Sequence, residues 1–227
     1  MLVDILTLFP EMFQGPFEES IIKRAREKAL VDIRLHDLRE YANDKHRTVD
    51  DYPYGGGSGM VLKPEPIKAA LDALDLAPSD RVIFLTPEGE RLTQSKANEL
   101  SLEKRLVLLC GHYKGVDERI RQKYVTDEIS IGDYVLTGGE LPAMVLVDAV
   151  ARLIPGILGD AESALGDSFQ DGMLDCPWYT RPRVFEGMEV PSTLCSGSHQ
   201  EIEAWRHAQA LRRTYERRPD LLDEPES

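Results

Sequence analysis

Three glycine-bearing turns hold the residues of this sequence that could do chemistry. They are Pro87–Gly89 (PEG), Gly111–Gly115 (GHYKG) and Ile131–Gly139 (IGDYVLTGG). The first two follow apolar runs typical of buried strands, and the third follows a short β-branched strand. Glycine lets backbone amides and carbonyls come close to a ligand. None of these turns is a GxGxxG that opens a helix, and no Lys-Ser/Thr follows the glycines of Gly55–Gly59, so the sequence favours neither a dinucleotide fold nor a P-loop. Turns of this kind expose backbone amides and carbonyls at one point, as a ligand pocket requires.

The elements around these turns alternate between strand and helix. The apolar periods predict strands over Leu2–Phe9, Val31–Leu38, Arg81–Thr86 and Arg105–Cys110, and helices over Glu18–Ala29, Pro64–Leu74, Thr93–Leu102 and Asp117–Tyr124. This alternation indicates an α/β fold: a mostly parallel sheet with helices on both faces. Ligands of such sheets bind beyond the carboxyl ends of the strands, where all three turns should meet.

The third of these turns lies within a strand–turn–helix unit that runs from Glu128 to Gly156. Its helix, predicted over Leu141–Ile154, is apolar almost all round, and its only charged positions are Asp148 and Arg152. Pro142 suits a first turn, where its missing N–H is unpaired anyway. A helix of this composition should be buried, either against the sheet or against another subunit.

The composition changes after this helix, which predicts two domains. We expect a catalytic domain over residues 1–157, a flexible acidic linker over 158–173 and a small helical domain over 174–227. In the small domain, Ser198 should cap a long helix with Glu201 as its capping-box partner. The long polar segment Arg39–Met60 is either a plain flexible loop or a loop that shapes the active site.

Charge and cysteine usage limit the function classes. The net charge of −13 counts against a nucleic-acid partner, yet five arginines lie between Arg206 and Arg218 against a single acid, Glu216. They could bind RNA or simply form a solvated helix face with i,i+4 pairs. Three cysteines, far apart and outside any CxxC motif, indicate a reducing compartment, so we expect a cytoplasmic protein with no disulfide framework and no cysteine zinc site. No apolar run of 18 residues or cationic leader supports a membrane span or a signal peptide.

Several long motifs, in order along nearly the whole chain, resemble the bacterial tRNA (guanine-N1)-methyltransferase family, TrmD. They are Tyr54–Met60 (YGGGSGM), Cys110–Ile120 (CGHYKGVDERI), Ser130–Glu140 (SIGDYVLTGGE), Gly166–Phe169 (GDSF), Leu174–Pro182 (LDCPWYTRP) and Gly187–Pro191 (GMEVP). The resemblance implies a SPOUT methyltransferase whose sheet carries a deep trefoil knot. It also implies a homodimer with an active site shared between subunits, acting on the guanosine at tRNA position 37 when another guanosine precedes it.

The resemblance further implies that S-adenosylmethionine lies bent in the knot, held by the three turns. The implied cofactor-binding residues are Phe84, Leu85, Thr86, Pro87, Gly89, Gly111, Tyr113, Ser130, Ile131, Gly132, Tyr134, Leu136, Gly138, Gly139 and Pro142. An apolar slot edged by backbone donors and acceptors suits adenine. The aliphatic members of the set could instead be plain core residues.

The catalytic residues implied by the resemblance are Asp167 and Arg152. Methylation of guanine N1 requires removal of its proton, for which a carboxylate such as Asp167 is a natural base. A guanidinium would stabilise the charge that appears on O6. From the residues alone, Asp167 could be one more linker acid and Arg152 could pair with Asp148 at i,i+4. The linker should be mobile until tRNA arrives.

For tRNA we expect contacts from the arginines of the small domain: Arg181, Arg183, Arg206, Arg212, Arg213 and Arg217. One position departs from the family, because Lys114 stands where many members have Glu. Magnesium, which the resemblance favours, is therefore an open question, and we assign no metal ligands; His112 is expected in the pocket wall. A non-catalytic RNA-binding or assembly protein that retains the fold is the alternative function.

Overall fold

The computed structural model describes residues 1–158 and 166–222. The chain divides into two compact units between residues 159 and 160. Part of the predicted linker, residues 159–165, lies outside the described residues, and the linker stays a prediction. Residues 166–173 form hydrogen-bonded turns, in which the Phe169 amide donates to the Met173 carbonyl at 2.7 Å.

A five-stranded sheet forms the centre of the first unit. The strands of the chain are β1 (Leu2–Thr7), β2 (Asp32–Asp37), β3 (Asp50–Asp51), β4 (Val61–Leu62), β5 (Arg81–Arg91), β6 (Arg105–Cys110), β7 (Asp127–Ser130), β8 (Val184–Phe185) and β9 (Met188–Glu189). The sheet has the order β2-β1-β6-β5-β7, and each neighbouring pair is parallel. The predicted α/β class with a parallel sheet is confirmed, while the trefoil knot stays a prediction.

Helices cover both faces of this sheet. The helices are α1 (Ser20–Glu27), α2 (Pro64–Ala73), α3 (Gln94–Ser101), α4 (Glu118–Tyr124), α5 (Glu140–Ala151) and, in the second unit, α6 (His199–Arg217). Alternate residues of the central strands β1, β5 and β6 enter opposite cores, as the pleat requires. In β6, Leu106 and Leu108 pack with α1, α3 and α5, whereas Val107 and Leu109 pack with α2 and α4.

Strand β5 is longer than the sequence predicts. It runs to Arg91 rather than ending at Thr86, because its far half pairs again with β7 after a register shift between Leu85 and Glu90. Gly89 makes this second pairing possible, since a Cβ there would lie 2.4 Å from the backbone of Glu128 and Ile129. The Pro87–Gly89 turn is thus a bulge within a strand.

Helix α5 buries one face and leaves the other open in the single chain. Leu146, Val147 and Val150 are at most 2% exposed, whereas Leu141 and Val145 are 49% and 46% exposed. The helix therefore has an apolar side that the sheet does not cover.

The second unit is built on α6 and two small elements. The Ser198 side chain caps the helix by accepting a hydrogen bond from the Glu201 amide at 3.4 Å, as predicted. The Ser198 amide donates to the Ser196 side chain at 3.2 Å rather than to the Glu201 carboxylate, so the predicted capping box is only half formed. The buried Thr214 hydroxyl accepts the Leu174 amide at 2.9 Å and so attaches the preceding segment to the helix. Strands β8 and β9 form a two-residue hairpin. None of the described helices is long and apolar enough to cross a membrane.

Candidate active site

A cavity of about 350 Å³ lies at the Pro87–Gly89 turn within β5 and at the carboxyl ends of β6 and β7. This volume falls in the range of pockets for small molecules and cofactors. It is lined by fourteen of the fifteen predicted cofactor residues: Phe84, Leu85, Thr86, Pro87, Gly111, Tyr113, Ser130, Ile131, Gly132, Tyr134, Leu136, Gly138, Gly139 and Pro142. The fifteenth, Gly89, packs against β7 instead. This close packing explains why the residue is glycine without any contact to a ligand.

Close backbone contact joins two of the three turns. The Gly139 amide donates to the Gly111 carbonyl at 2.9 Å, and His112 pairs with Gly138 in an antiparallel bridge. A Cβ on Gly139 would lie 2.7 Å from the Cys110 Cα, which is closer than any ordinary contact. The pocket wall thus depends on glycine at this position.

Side chains fix the remaining turn conformations. The Ser130 hydroxyl accepts the Gly132 amide at 3.2 Å and donates to the Gly132 carbonyl at 3.1 Å. At the other edge, Arg121 donates to Glu88 at 2.7 Å and to Glu128 at 2.8 Å. These carboxylates raise the pKa of Arg121, which stays charged and fastens the bulge of β5 to β7.

The long polar segment Arg39–Met60 contacts the GHYKG turn on the side away from the cavity. The Lys114 amide donates to the Met60 carbonyl at 3.0 Å. A hydrogen bond to Asp50, together with burial, raises the pKa of the Tyr113 hydroxyl. The segment Arg39–Met60 therefore supports the GHYKG turn without lining the cavity itself.

Seven lining residues were absent from the predicted cofactor set: Glu88, His112, Lys114, Gly115, Ile129, Val135 and Thr137. All lie in or beside the same three turns, and this adjacency is the signal that could have included them. His112 is in the pocket wall as predicted.

The charged groups of the pocket do not make a metal site by themselves. Glu88 and Lys114 have opposite charges, and no cluster of three or more His, Cys, Asp or Glu side chains that could hold a metal ion occurs within residues 1–158 and 166–222.

The two predicted catalytic residues belong to different compact units. Arg152 is half-buried at the C-terminal end of α5. Asp167 is half-buried in the second unit, where its carbonyl accepts the Gln170 amide at 3.3 Å. The next residue, Ser168, accepts the Asp175 amide through its side chain at 3.0 Å, so the turn that carries Asp167 is tied to the segment before Trp178.

Most predicted RNA-binding arginines are exposed, and several have partners within the second unit. Arg212 pairs with Glu216 at 2.8 Å, Arg213 donates to the Asp175 carbonyl at 3.1 Å, and Arg206 lies 4.5 Å above the Trp178 ring. A small cleft is lined by Pro177, Gln209, Arg212, Arg213, Glu216 and Arg217. Arg181 and Arg183 are exposed before the β8–β9 hairpin.

Comparison with known proteins supports the family that the motifs suggest. The model of a family described as tRNA (Guanine-1)-methyltransferase TrmD matches residues 1–224. A tRNA (guanine-N(1)-)-methyltransferase of Geobacillus kaustophilus (strain HTA426) is 62% identical over 225 residues, covering 99% of this chain and 92% of that protein. One of Bacillus cereus (strain B4264) is 58% identical over 228 residues, covering 100% and 93%. The chain belongs to the tRNA (guanine-1)-methyltransferase TrmD family.

Proposed function

We propose that the protein transfers a methyl group from S-adenosylmethionine to N1 of the guanosine at tRNA position 37. The observation that carries this proposal is that fourteen predicted cofactor residues, from three turns far apart in sequence, line one cavity. A tRNA substrate would place the protein in the cytoplasm. The non-catalytic alternative is not favoured, because the relatives are named as methyltransferases.

The cavity suits a nucleoside joined to an amino acid. Phe84, Leu85 and Pro142 supply apolar wall, and the glycine turns supply backbone amides and carbonyls. When bound, S-adenosylmethionine supplies a methyl group attached to a positively charged sulfur. The protein's part is to orient that methyl and to keep water away from it.

Asp167 and Arg152 would act on the guanine. The Asp167 carboxylate takes the proton from N1, which frees the N1 electron pair to form the new carbon–nitrogen bond while the bond from the methyl group to sulfur breaks and its electron pair stays on the sulfur. The Arg152 guanidinium stabilises the negative charge that develops on O6 as the proton leaves.

The open face of α5 supports a homodimer. Leu141 and Val145 lie one turn apart and are about half exposed in the single chain, as expected for apolar side chains that a second copy would cover. In this dimer, one subunit supplies Asp167, and the other subunit supplies both the cofactor pocket and Arg152. Mixing Arg152→Ala with Asp167→Ala protein should then restore activity in heterodimers, because one of their two sites is intact; no recovery would contradict the shared site.

The second unit would hold tRNA. Phosphate contacts suit its exposed arginines, Arg181, Arg183, Arg206, Arg212 and Arg217, while Arg213 would act partly by holding the Asp175 carbonyl. We assign the proton removal and the charge stabilisation to Asp167 and Arg152, and we assign no metal ligands.

Nucleoside mass spectrometry tests the proposed function. A tRNA transcript with guanosine at positions 36 and 37 is incubated with the protein and labelled S-adenosylmethionine, beside a transcript with adenosine at 37. The first should yield 1-methylguanosine and the second none. No product, or methylation at another base or ring position, would contradict the proposal.

A further inference from the structure

A histidine in the pocket wall and a buried glutamate next to Gly138 take no part in the methyl transfer described above. His112 lines the cavity, and its ring packs between Phe9, at 5.0 Å between ring centres, and Tyr113, at 4.6 Å. Its Nδ1 atom is buried and has no hydrogen-bond partner among the described residues. A buried polar atom in that condition destabilises a protein unless a partner is supplied.

Glu140 is the second member of the pair. It is the first residue of α5, and only 2% of it is exposed. Its Oε1 accepts a hydrogen bond from the Thr7 hydroxyl at 2.8 Å, and that hydroxyl accepts the Phe9 amide at 2.9 Å. A carboxylate is rarely buried this far unless it is paired, so its placement calls for a specific use.

Gly138 brings the two side chains to the same space. A Cβ on this residue would lie 2.3 Å from Glu140 Oε2 and 2.9 Å from His112 Nδ1. Both atoms thus border a gap that exists because residue 138 has no side chain. Gly138 also lines the cavity and pairs with His112 through the backbone. A ligand that contacts Gly138 would therefore also affect the positions of the His112 and Glu140 side chains.

We propose that His112 binds the methyl donor and that Glu140 positions its ring, by accepting a hydrogen bond from Nδ1–H when the pocket is filled. A neutral imidazole has one N–H, so a carboxylate beside Nδ1 selects the tautomer that leaves a lone pair on Nε2. Nε2 then accepts a hydrogen bond from a hydroxyl or amino group of the bound molecule. This inference rests on the proposed function, because it takes S-adenosylmethionine as the occupant.

Nitrogen NMR of the whole protein with ¹⁵N-labelled histidine tests the pair directly. Spectra are recorded at about pH 8, above the ordinary histidine pKa of about 6.5, before and after saturation with S-adenosylmethionine. The His112 signals are those missing from His112→Gln protein. In the loaded wild type we expect a protonated Nδ1 and an unprotonated Nε2; any other pattern overturns the proposal.

Calorimetry supplies the second readout. Glu140→Gln exchanges a charge-assisted hydrogen bond for a neutral one, so S-adenosylmethionine should bind about five- to tenfold more weakly. Glu65→Gln, an exposed acid on α2, is the matched control and should bind as the wild type does. Affinity of Glu140→Gln within twofold of wild type would refute the positioning role. If Glu140→Gln does not fold, the wild-type spectra decide.

These outcomes separate the two proposals. A wild type that does not bind S-adenosylmethionine counts against the proposed function. A wild type that binds it without protonation at Nδ1 counts against the His112–Glu140 pair alone.

Discussion

Gly139→Ala should lower both the stability of the fold and the affinity of the pocket for its ligand. The added Cβ would lie 2.7 Å from the Cys110 Cα and 2.9 Å from the Gly111 nitrogen. Because both are backbone atoms, the two turns must separate by roughly 0.7 Å to reach ordinary contact. Overpacking of this kind costs about 1–3 kcal/mol. Weakening the 2.9 Å hydrogen bond from Gly139 to Gly111 adds about 1 kcal/mol.

The expected result is a free energy of unfolding lowered by about 2–4 kcal/mol, from the two contributions above. S-adenosylmethionine affinity should fall at least about tenfold, because both displaced turns line the cavity and a shift this small is enough to misalign a bound ligand. Urea unfolding and calorimetry measure the two effects.

Gly15→Ala is the matched control for Gly139→Ala. Gly15 has a φ of +90° and open space around it, so alanine there costs about 1–2 kcal/mol of backbone strain in the same unit without touching the cavity. It should lose stability but keep its affinity. If Gly139→Ala binds S-adenosylmethionine within twofold of wild type, the pocket does not depend on this close approach.

Three further expectations concern assembly, tRNA and acid stability. Val145→Glu should dissociate the dimer in sedimentation, while Leu102→Glu, at a position 85% exposed outside α5, should not; a dimer that persists in Val145→Glu would place the interface elsewhere. Replacing Arg212 and Arg217 by alanine should flatten the salt dependence of tRNA binding by roughly 0.7–0.9 in log–log slope per lost phosphate contact, measured by filter binding. An unchanged slope would leave these arginines as a solvated helix face. Burial of Asp4 alone would raise the pKa of its carboxyl group, but hydrogen bonds from His36 and Arg105 outweigh this effect and lower the pKa below its ordinary value of 3.8. The Asp4 carboxylate therefore stabilises the fold above pH 3.8, and this stabilisation is lost as the pH falls further. Asp4→Asn should therefore flatten the loss of stability below about pH 4 in urea titrations, and an unaltered pH profile would contradict this.

The sequence predicts the elements whose signals are local. Strand β6 is found over Arg105–Cys110 as predicted, because a continuous apolar run with polar flanks needs no tertiary information. The Ser198 cap is local for the same reason, since its donor is three residues away.

Features that depend on distant contacts were not predictable. The extension of β5 to Arg91 requires its second pairing with β7, which the Pro-Glu-Gly turn signal conceals. Glu140 looks like an ordinary acid in a first helical turn; only the fold brings Thr7, 133 positions earlier, to its side chain. The open face of α5 was hidden because the helix is apolar all round, and periodicity cannot tell which side the sheet covers.

The location of the cavity was predictable from the sequence, whereas the cofactor-binding and catalytic roles of individual residues came from the resemblance to the family. Three turns at strand ends indicate a shared edge of the sheet. Nothing in the spacing of Arg152 and Asp167 marks them as partners, since they lie in different compact units.

Single-turnover methyl transfer by Asp167→Ala tests the account most directly. With S-adenosylmethionine and tRNA both saturating, the rate should fall by about 10²–10⁴-fold, the usual contribution of a general base. Calorimetry on the same protein should show S-adenosylmethionine affinity close to that of the wild type, because Asp167 is not among the lining residues of the cavity. A near-normal rate would show that another group removes the N1 proton and would contradict the mechanism proposed for this chain.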